Sequence, residues 1–285
     1  MIVDVHTHAF KVPDHIEERF LLEAQRARGG LPIELNVSSE WHRKAMQKVD
    51  HAIVFGLKAR HVGIYTPDAY IAEFVAGDPG RIGFCSVDPN EPTYLDDFYH
   101  AVDSLKLSGI KLAPMYANFS PLDERLTPIY EAAVKRGLPV LAHVGTTFCE
   151  FAPLEFTRPV LIDTLAMRFP QLTFIMAHLG HPWEGETLVV IRKHPNVWAD
   201  CSALYYRPWQ LYNSLILAQE YGVMHKILFG SDFPFAAPEE SIAGMKALNT
   251  MVEGTNLPRV STTLLDELIH RDSLSLLFPA GLTKG

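Results

Sequence analysis

Short apolar segments recur along the whole chain, and their spacing restricts the fold more than any other feature. Each has the length of one β-strand. Most contain Val, Ile, Leu or Phe with little polar alternation, which is typical of strands covered on both faces of a parallel sheet. The eight segments are Ile2–Val5, Ala52–Leu57, Ile82–Val87, Gly109–Leu112, Pro139–Ala142, Leu172–Ala177, Val197–Ala199 and Lys226–Phe229.

Segments with helical spacing of apolar residues separate these predicted strands. Leu122–Arg136 is followed by Gly137, and Asp68–Ala76 follows Pro67, as is usual at helix boundaries. Eight strands that alternate with helices over 285 residues predict a distorted (β/α)8 barrel, the TIM-barrel fold, rather than an open sheet. The other helices predicted between strands are Asp163–Phe169, Thr187–Lys193, Pro208–Tyr221 and Glu239–Leu248.

Two regions do not fit the simple alternation. Lys11–Ser38 is too long for an ordinary loop after the first strand, so we predict an insertion or lid over the mouth of the barrel. After Leu248 the sequence predicts one more helix, Val260–His270, and a leucine-rich end at Leu274–Phe278. No repeat or linker divides the chain, and residues 1–285 are therefore predicted to form one domain.

The composition excludes several classes of protein. Its 25 basic and 33 acidic residues give a net charge of −8 without any basic run, so nucleic acid and anionic membranes are not expected partners. The apolar stretches are far shorter than the ~20 residues of a membrane helix. Three widely spaced cysteines, and a first strand that follows Met1 directly, predict a cytoplasmic protein with reduced thiols and no secretory signal.

Histidine and other polar residues follow the predicted strands at one consistent position, the carboxyl end. In a (β/α)8 barrel these ends meet on one face, where active sites are built. We therefore expect side chains that are distant in sequence to converge there. They are His6, His8, His143, His178, Asp232 and, near the end of its own strand, Lys111.

The residue types at this face predict a metal site. His6 and His8 are two apart on a strand, so both can reach one ion while Thr7 points away. Imidazoles together with a carboxylate suit a borderline divalent metal and can leave one coordination position open to water. A single histidine in this position would more often be a satisfied core residue, but the whole set favours metal binding.

The ordered set of motifs resembles the amidohydrolase superfamily, in particular the amidohydrolase-related branch that includes aminocarboxymuconate semialdehyde decarboxylase. The resemblance covers nearly the whole chain. The motifs are Asp4-Val5-His6-Thr7-His8, Arg81–Pro89, Gly109-Ile110-Lys111-Leu112, Pro139-Val140-Leu141-Ala142-His143, Ala177-His178-Leu179-Gly180 and Phe229-Gly230-Ser231-Asp232-Phe233-Pro234.

The resemblance implies one divalent metal, usually zinc, with manganese or iron as alternatives. It implies His6, His8, His143 and Asp232 as ligands, and His178 acting beside the metal. It also makes a homodimer an open expectation. Binuclear members of the superfamily carry a carbamylated lysine at the fourth strand, where Lys111 stands. The closer branch is typically mononuclear, and there Lys111 would orient a substrate anion or pair with an acid. We favour the mononuclear interpretation.

The substrate-binding residues are less constrained by the sequence. Arg60, Tyr116, Trp183 and Arg207 follow strand ends and are candidates, although such residues often serve only in loop packing. His181, where relatives often have a small residue, either lines the pocket or caps the following helix.

Two reactions are compatible with this site. In a hydrolase of a small lactone, amide or ester, Asp232 takes a proton from water and later delivers it to the leaving group, and His178 donates a hydrogen bond to the oxyanion. In a decarboxylase of a small unsaturated or aromatic acid, Asp232 or His178 protonates the carbon that loses CO₂. We favour the hydrolase. A non-catalytic metal-binding barrel is the third alternative, which the water-accessible ligand set disfavours.

Overall fold

The computed structural model describes residues 1–282. The strands in that range are β1 (Val3–His8), β2 (His51–Phe55), β3 (Lys58–Ala59), β4 (Ile64–Tyr65), β5 (Arg81–Gly83), β6 (Cys85–Val87), β7 (Ile110–Leu112), β8 (Val140–Ala142), β9 (Phe174–Met176), β10 (Val197–Asp200) and β11 (Ile227–Leu228). The α-helices are α1 (Glu18–Ala27), α2 (Ser39–Ala45), α3 (Asp68–Val75), α4 (Tyr94–Tyr99), α5 (Pro114–Ala117), α6 (Thr127–Arg136), α7 (Val160–Arg168), α8 (Glu184–Lys193), α9 (Pro208–Glu220), α10 (Pro238–Lys246), α11 (Thr262–Ile269) and α12 (Ser273–Leu277).

Parallel pairing joins the main strands in their order along the chain. β1 pairs with β2 and β2 with β5, while β6 to β11 pair successively in a second sheet. β5 and β6 are halves of one strand that is interrupted at Phe84. The Phe84 amide donates to Val54 O and the next amide donates to Gly109 O, so this strand belongs to both sheets.

The segment after β11 returns to β1 and closes the ring. Val5 N donates to Phe229 O at 3.0 Å, and His8 N donates to Phe233 O at 2.7 Å. With β5 and β6 counted as one strand, eight parallel strands form the ring, and the predicted TIM-barrel fold is confirmed. β3 and β4 form a separate antiparallel hairpin beside it.

The strand and helix boundaries differ from the predictions by a few residues. β1 continues through His8, because Thr7 and His8 still pair with Val54 and Phe55 of β2 and His8 also bonds to the segment after β11. Leu122–Arg136 divides into a 3₁₀ turn and α6, which ends at Gly137 with φ +65°. The short helices α2, α4 and α5 were not predicted, since each has seven residues or fewer and little apolar periodicity.

An apolar core fills the lower half of the barrel. Val5, Ile53, Phe84, Leu141, Ile175 and Leu228 are buried inside it, and Leu277 and Phe278 from the chain's leucine-rich end pack against them. α12 therefore covers the amino-terminal end of the strands. The polar residues that end the strands are left to the opposite end, where a pocket can form.

Two sequence features can be located directly. The segment Lys11–Ser38 contains α1, and its role as a lid, like the assignment of residues 1–285 to one domain, stays a prediction. Cys85, Cys149 and Cys201 are buried free thiols. Within residues 1–282, no helix combines the length and the hydropathy that crossing a bilayer requires.

Candidate metal centre and active site

The imidazoles of His6 and His8 lie on the same side of β1 and meet Asp232. Asp232 Oδ1 is 3.3 Å from His6 Nε2 and 3.2 Å from His8 Nε2. Thr7 points the other way and donates from Oγ1 to Ile53 O, as the strand period predicts. Gly230 permits this approach, because a Cβ there would stand 3.0 Å from His6 Cβ.

Asp200 at the end of β10 fixes the orientation of His6. Its Oδ2 is 3.0 Å from His6 Nδ1. A carboxylate can only accept, so Nδ1 carries the hydrogen and Nε2 keeps the lone pair that faces Asp232. A carboxylate behind an imidazole is the usual support of a metal-binding histidine.

His178 is fixed by the same carboxylate. Its amide donates to Asp200 Oδ1, and its Nδ1 lies 2.7 Å from Ser202 Oγ, while the Ser202 hydroxyl donates to Asp200. Nδ1 therefore carries the hydrogen, and neutral His178 presents a bare Nε2. This differs from the predicted oxyanion donor, because donation from Nε2 would require the imidazolium.

His143 contributes a fourth neutral imidazole. Its Nε2 donates to Thr146 O at 3.0 Å, which leaves Nδ1 bare, and its ring centroid is 4.7 Å from that of His178. One ligand atom each from His6, His178 and Asp232 lies within 4.8 Å of the others.

Backbone conformation sets two of these side chains. His178 and Asp232 have φ of 58° and 69°, in the left-handed region. For residues other than glycine this costs on the order of 1–3 kcal/mol each, and it persists only where the surroundings enforce it. Both are predicted catalytic residues, and their neighbours in the fold Leu179 and Ala203 also have positive φ.

The burial of the cluster keeps it uncharged without a cation. Burial lowers the pKa of His143 to about 3 and holds the pKa values of His6, His8 and His178 well below the ordinary value. Burial also raises the pKa of the Asp232 carboxyl well above its usual range. The bare Nε2 atoms of His6 and His178, in one group with the Asp232 carboxyl, fit a divalent cation better than a closed hydrogen-bond network.

Lys111 lies beneath the cluster. Its Nζ is 3.2 Å from His6 Nε2 and 4.4 Å from the centroid of the Phe55 ring. Burial lowers the pKa of Lys111 to about 7, against the opposite influence of Asp200 and Asp232. The side chain thus borders the nitrogen that the metal would use, and does not reach the pocket wall.

A pocket opens above this cluster, and His8, His143, His178 and Asp232 line its floor. The rest of its wall is largely apolar and includes Phe20 and Ala27 of α1. The remaining aromatic members of the wall are Phe10, Tyr116, Phe148, Tyr206 and Phe235.

The structure separates the candidate substrate residues into two groups. Tyr116, His181 and Arg207 line the pocket. Arg60 instead forms an ion pair with Glu91 at 3.0 Å, and Trp183 packs against the Arg158 guanidinium; neither lies in the pocket wall. Of the two arginines that the sequence suggested, Arg207 is therefore the one that can pair with a substrate anion in the pocket.

Asp200 and Ser202 were missed by the sequence analysis. Asp200 directly follows the predicted strand Val197–Ala199, so the rule that placed the histidines at strand ends would have included it. Nothing in the sequence marks Ser202, whose role depends on contacts with His178 and Asp200.

Asp200→Asn is expected to weaken metal affinity about 10–100-fold, as is usual when a carboxylate behind a metal-binding histidine is lost. The amide is the same size but lacks the charge that favours the Nδ1–H form of His6. Titration of metal-free protein with zinc, followed by calorimetry, measures the change. Asp163→Asn is the matched control, because Asp163 also pairs with a histidine, His194, on the outer helices; equal affinity in both variants would contradict the assignment.

Comparison with solved structures agrees with the barrel fold. The structure is similar to an uncharacterised TIM-barrel protein from Bordetella bronchiseptica (18% identity, 97% of this chain and 98% of that one, TM-score 0.71). It is also similar to a probable 2-pyrone-4,6-dicarboxylic acid hydrolase from Acinetobacter baumannii (14%, 97% and 98%, TM-score 0.66). A third similar structure is 5-carboxyvanillate decarboxylase from Sphingomonas paucimobilis (13%, 98% and 98%, TM-score 0.65). At these identities the likeness concerns the fold alone.

The sequence gives the more specific result. No curated protein matches the chain significantly. Residues 3–255, however, match the model of the family described as Amidohydrolase, Amidohydro_2, and this range contains every proposed ligand from His6 to Asp232. The chain therefore belongs to the amidohydrolase family.

Proposed function

We propose that the protein is a metal-dependent hydrolase of a small, carboxylate-bearing lactone, amide or ester. One observation carries the proposal: the Asp232 carboxyl lies within 3.3 Å of two imidazole nitrogens at the floor of a largely apolar pocket. A carboxylate base beside imidazole nitrogens that can bind a metal, in a pocket shielded from bulk water, is suited to activating one water molecule.

The proposed metal would be held by three imidazoles and one carboxylate. His6, His8, His143 and Asp232 are the proposed ligands, with zinc as the expected ion and manganese or iron as alternatives. The ion would polarise the substrate carbonyl and lower the pKa of water at the site.

The residues of the chain would then divide the proton chemistry. Asp232 accepts a proton from the attacking water. The bare Nε2 of His178 accepts a hydrogen bond from the second hydrogen of that water. Arg207 at the pocket wall pairs with the substrate carboxylate.

Decarboxylation of an aromatic or unsaturated acid is the second candidate, because aromatic rings dominate the pocket wall. Zinc-loaded protein should be incubated in parallel with dihydrocoumarin, phenyl acetate, 2-pyrone-4,6-dicarboxylate and 2,6-dihydroxybenzoate. Ring opening or ester cleavage without CO₂ supports the hydrolase, and CO₂ release without hydrolysis replaces it with the decarboxylase. No turnover of any compound by metal-loaded protein would favour the non-catalytic barrel.

Lys111→Ala tests the mononuclear site. We expect the metal content to stay near one ion per chain, because the lysine borders the cluster without bridging two ions. Turnover should fall. Elemental analysis of purified protein gives the stoichiometry. Lys226→Ala is the matched control, since Lys226 is another buried lysine over an aromatic ring, that of Trp198. Loss of one ion of two, with assembly that depends on bicarbonate, would instead establish a carbamylated binuclear centre.

Three further expectations belong to the same proposal: the location, the oligomeric state and the partner. The cytoplasmic location and the homodimer are proposed from the sequence and the resemblance. A small molecule is the proposed partner, in keeping with the size of the pocket and the acidic net charge of −8.

A further inference from the structure

A second carboxylate–histidine pair lies in the pocket wall, outside the proposed ligand set. His181 Nδ1 is 2.6 Å from Glu184 Oε1, and the two side chains are only 11% and 13% exposed. His181 lines the same pocket as Asp232 and His178. The reaction derived so far uses neither member of this pair.

The pairing determines which nitrogen faces the pocket. Glu184 can only accept, so His181 Nδ1 carries the hydrogen and Nε2 is left for an occupant of the pocket. A carboxylate behind an imidazole, with the other nitrogen towards substrate, is the arrangement that orients histidines which take and give protons.

The backbone holds the pair in place. His181 N donates to His178 O at 3.0 Å. Gly145, at φ +94°, packs so closely that a Cβ there would stand 2.4 Å from His181 O. Glu184 is the first residue of α8, where the helix dipole favours a negative charge.

The charge of Glu184 fits the same role. Burial alone would raise the pKa of its carboxyl group, but hydrogen bonds from His181 and from its own amide bring the pKa below the ordinary value. Glu184 is therefore ionised at neutral pH and stabilises a positive charge on His181 whenever that imidazole takes up a proton.

We propose that His181, oriented by Glu184, is a second catalytic proton-transfer residue of the pocket and protonates the leaving group. The assignment of its reaction partner rests on the hydrolase function proposed above. The sequence alone gives both proton transfers to Asp232. The structure offers a separate donor for the second.

The step balances as a hydrolysis. The water oxygen bonds to the carbonyl carbon while Asp232 takes one water proton. The bond from that carbon to the leaving oxygen or nitrogen then breaks, and the leaving atom takes the proton from Nε2 of the His181 imidazolium. Asp232 later releases its proton to solvent, and His181 regains one from solvent.

Two acetate esters with different leaving groups test the proposal. Phenolate needs a proton to depart, whereas 4-nitrophenolate departs readily without one. In zinc-loaded His181→Gln we expect turnover of phenyl acetate to fall about 10²–10⁴-fold, the usual range for a lost general acid, and turnover of 4-nitrophenyl acetate to change much less. Glu184→Gln should change the turnover of each ester in the same direction as His181→Gln does, by a smaller factor. His225→Gln, on the exposed surface, is the control.

An equal loss on both esters would overturn the proposal, since a merely structural pair does not distinguish leaving groups. Thermal denaturation of each variant checks that the fold is intact.

A second measurement does not depend on turnover. Diethylpyrocarbonate reacts with bare imidazole nitrogens, and peptide mass spectrometry gives the rate at each histidine. We expect the rate at His181, relative to His225 in the same molecules, to fall severalfold in Glu184→Gln, because the amide no longer holds the hydrogen on Nδ1 and Nε2 is then bare in only part of the molecules.

The two measurements separate the two proposals. If wild-type protein hydrolyses neither ester nor the lactones dihydrocoumarin and 2-pyrone-4,6-dicarboxylate, the hydrolase assignment fails, and the modification rates alone decide the pair. An unchanged ratio in Glu184→Gln would show that the carboxylate does not act on Nε2, and the pair would be structural.

Discussion

Asp232→Asn is expected to lower turnover at least ~10²–10⁴-fold, the range typical for loss of a general acid–base group. Asparagine preserves the size and one oxygen but removes the negative charge and the proton acceptor. Much of the metal should stay bound, because the imidazoles are unchanged. Steady-state kinetics on the hydrolysed substrate and elemental analysis of the same preparation give both quantities.

The variant also separates catalysis from helix capping. Asparagine caps a helix nearly as well as aspartate, so a purely structural Asp232 would tolerate the change. The Asp232 side chain contacts imidazoles, whereas Asp272 is a true cap whose side chain accepts from Ser275 N. Asp272→Asn is therefore the matched control. Near-wild-type turnover in Asp232→Asn would mean that the catalytic assignment is wrong.

His6→Ala and His8→Ala are each expected to lose most of the bound metal, and chelation of wild-type protein should abolish activity. Each substitution removes a nitrogen that lies within 3.3 Å of Asp232 Oδ1, and a divalent site rarely survives the loss of a ligand from a set of four. Elemental analysis after dialysis should give close to one ion per chain for wild type and far less for the variants.

The control for this experiment is another buried histidine. His194→Ala removes an imidazole that pairs with Asp163 on the outer helices, and it should leave the metal content unchanged. Purified wild-type protein without metal, or equal metal in all four proteins, would refute the metal centre.

The fold and the position of the site could be predicted from the sequence because both depend on local patterns. Eight apolar runs separated by helices allow few topologies, and a parallel barrel brings every carboxyl end to one face. His6 and His8 reach the same side because side chains alternate along a strand. These rules require no knowledge of which loop meets which.

The boundary errors arise where strand pairing is decided by contacts outside the local pattern. The apolar run Ile82–Val87 predicts one strand, yet hydrogen bonding divides it at Phe84, where the strand changes partner from β2 to β7. Pairing of this kind depends on the neighbours across the barrel, and the run itself contains no signal of it.

What the sequence by itself determined is the barrel and the set of strand-end residues that face its mouth. Only the tertiary structure decided how they are held: Asp200 behind His6 and His178, Arg60 drawn away to Glu91, and Arg207 left at the pocket. The physical reason is that strand periodicity is fixed by the backbone. Hydrogen bonds and ion pairs between distant residues, such as His6 and Asp200 at 194 positions apart, depend instead on how the loops pack in three dimensions.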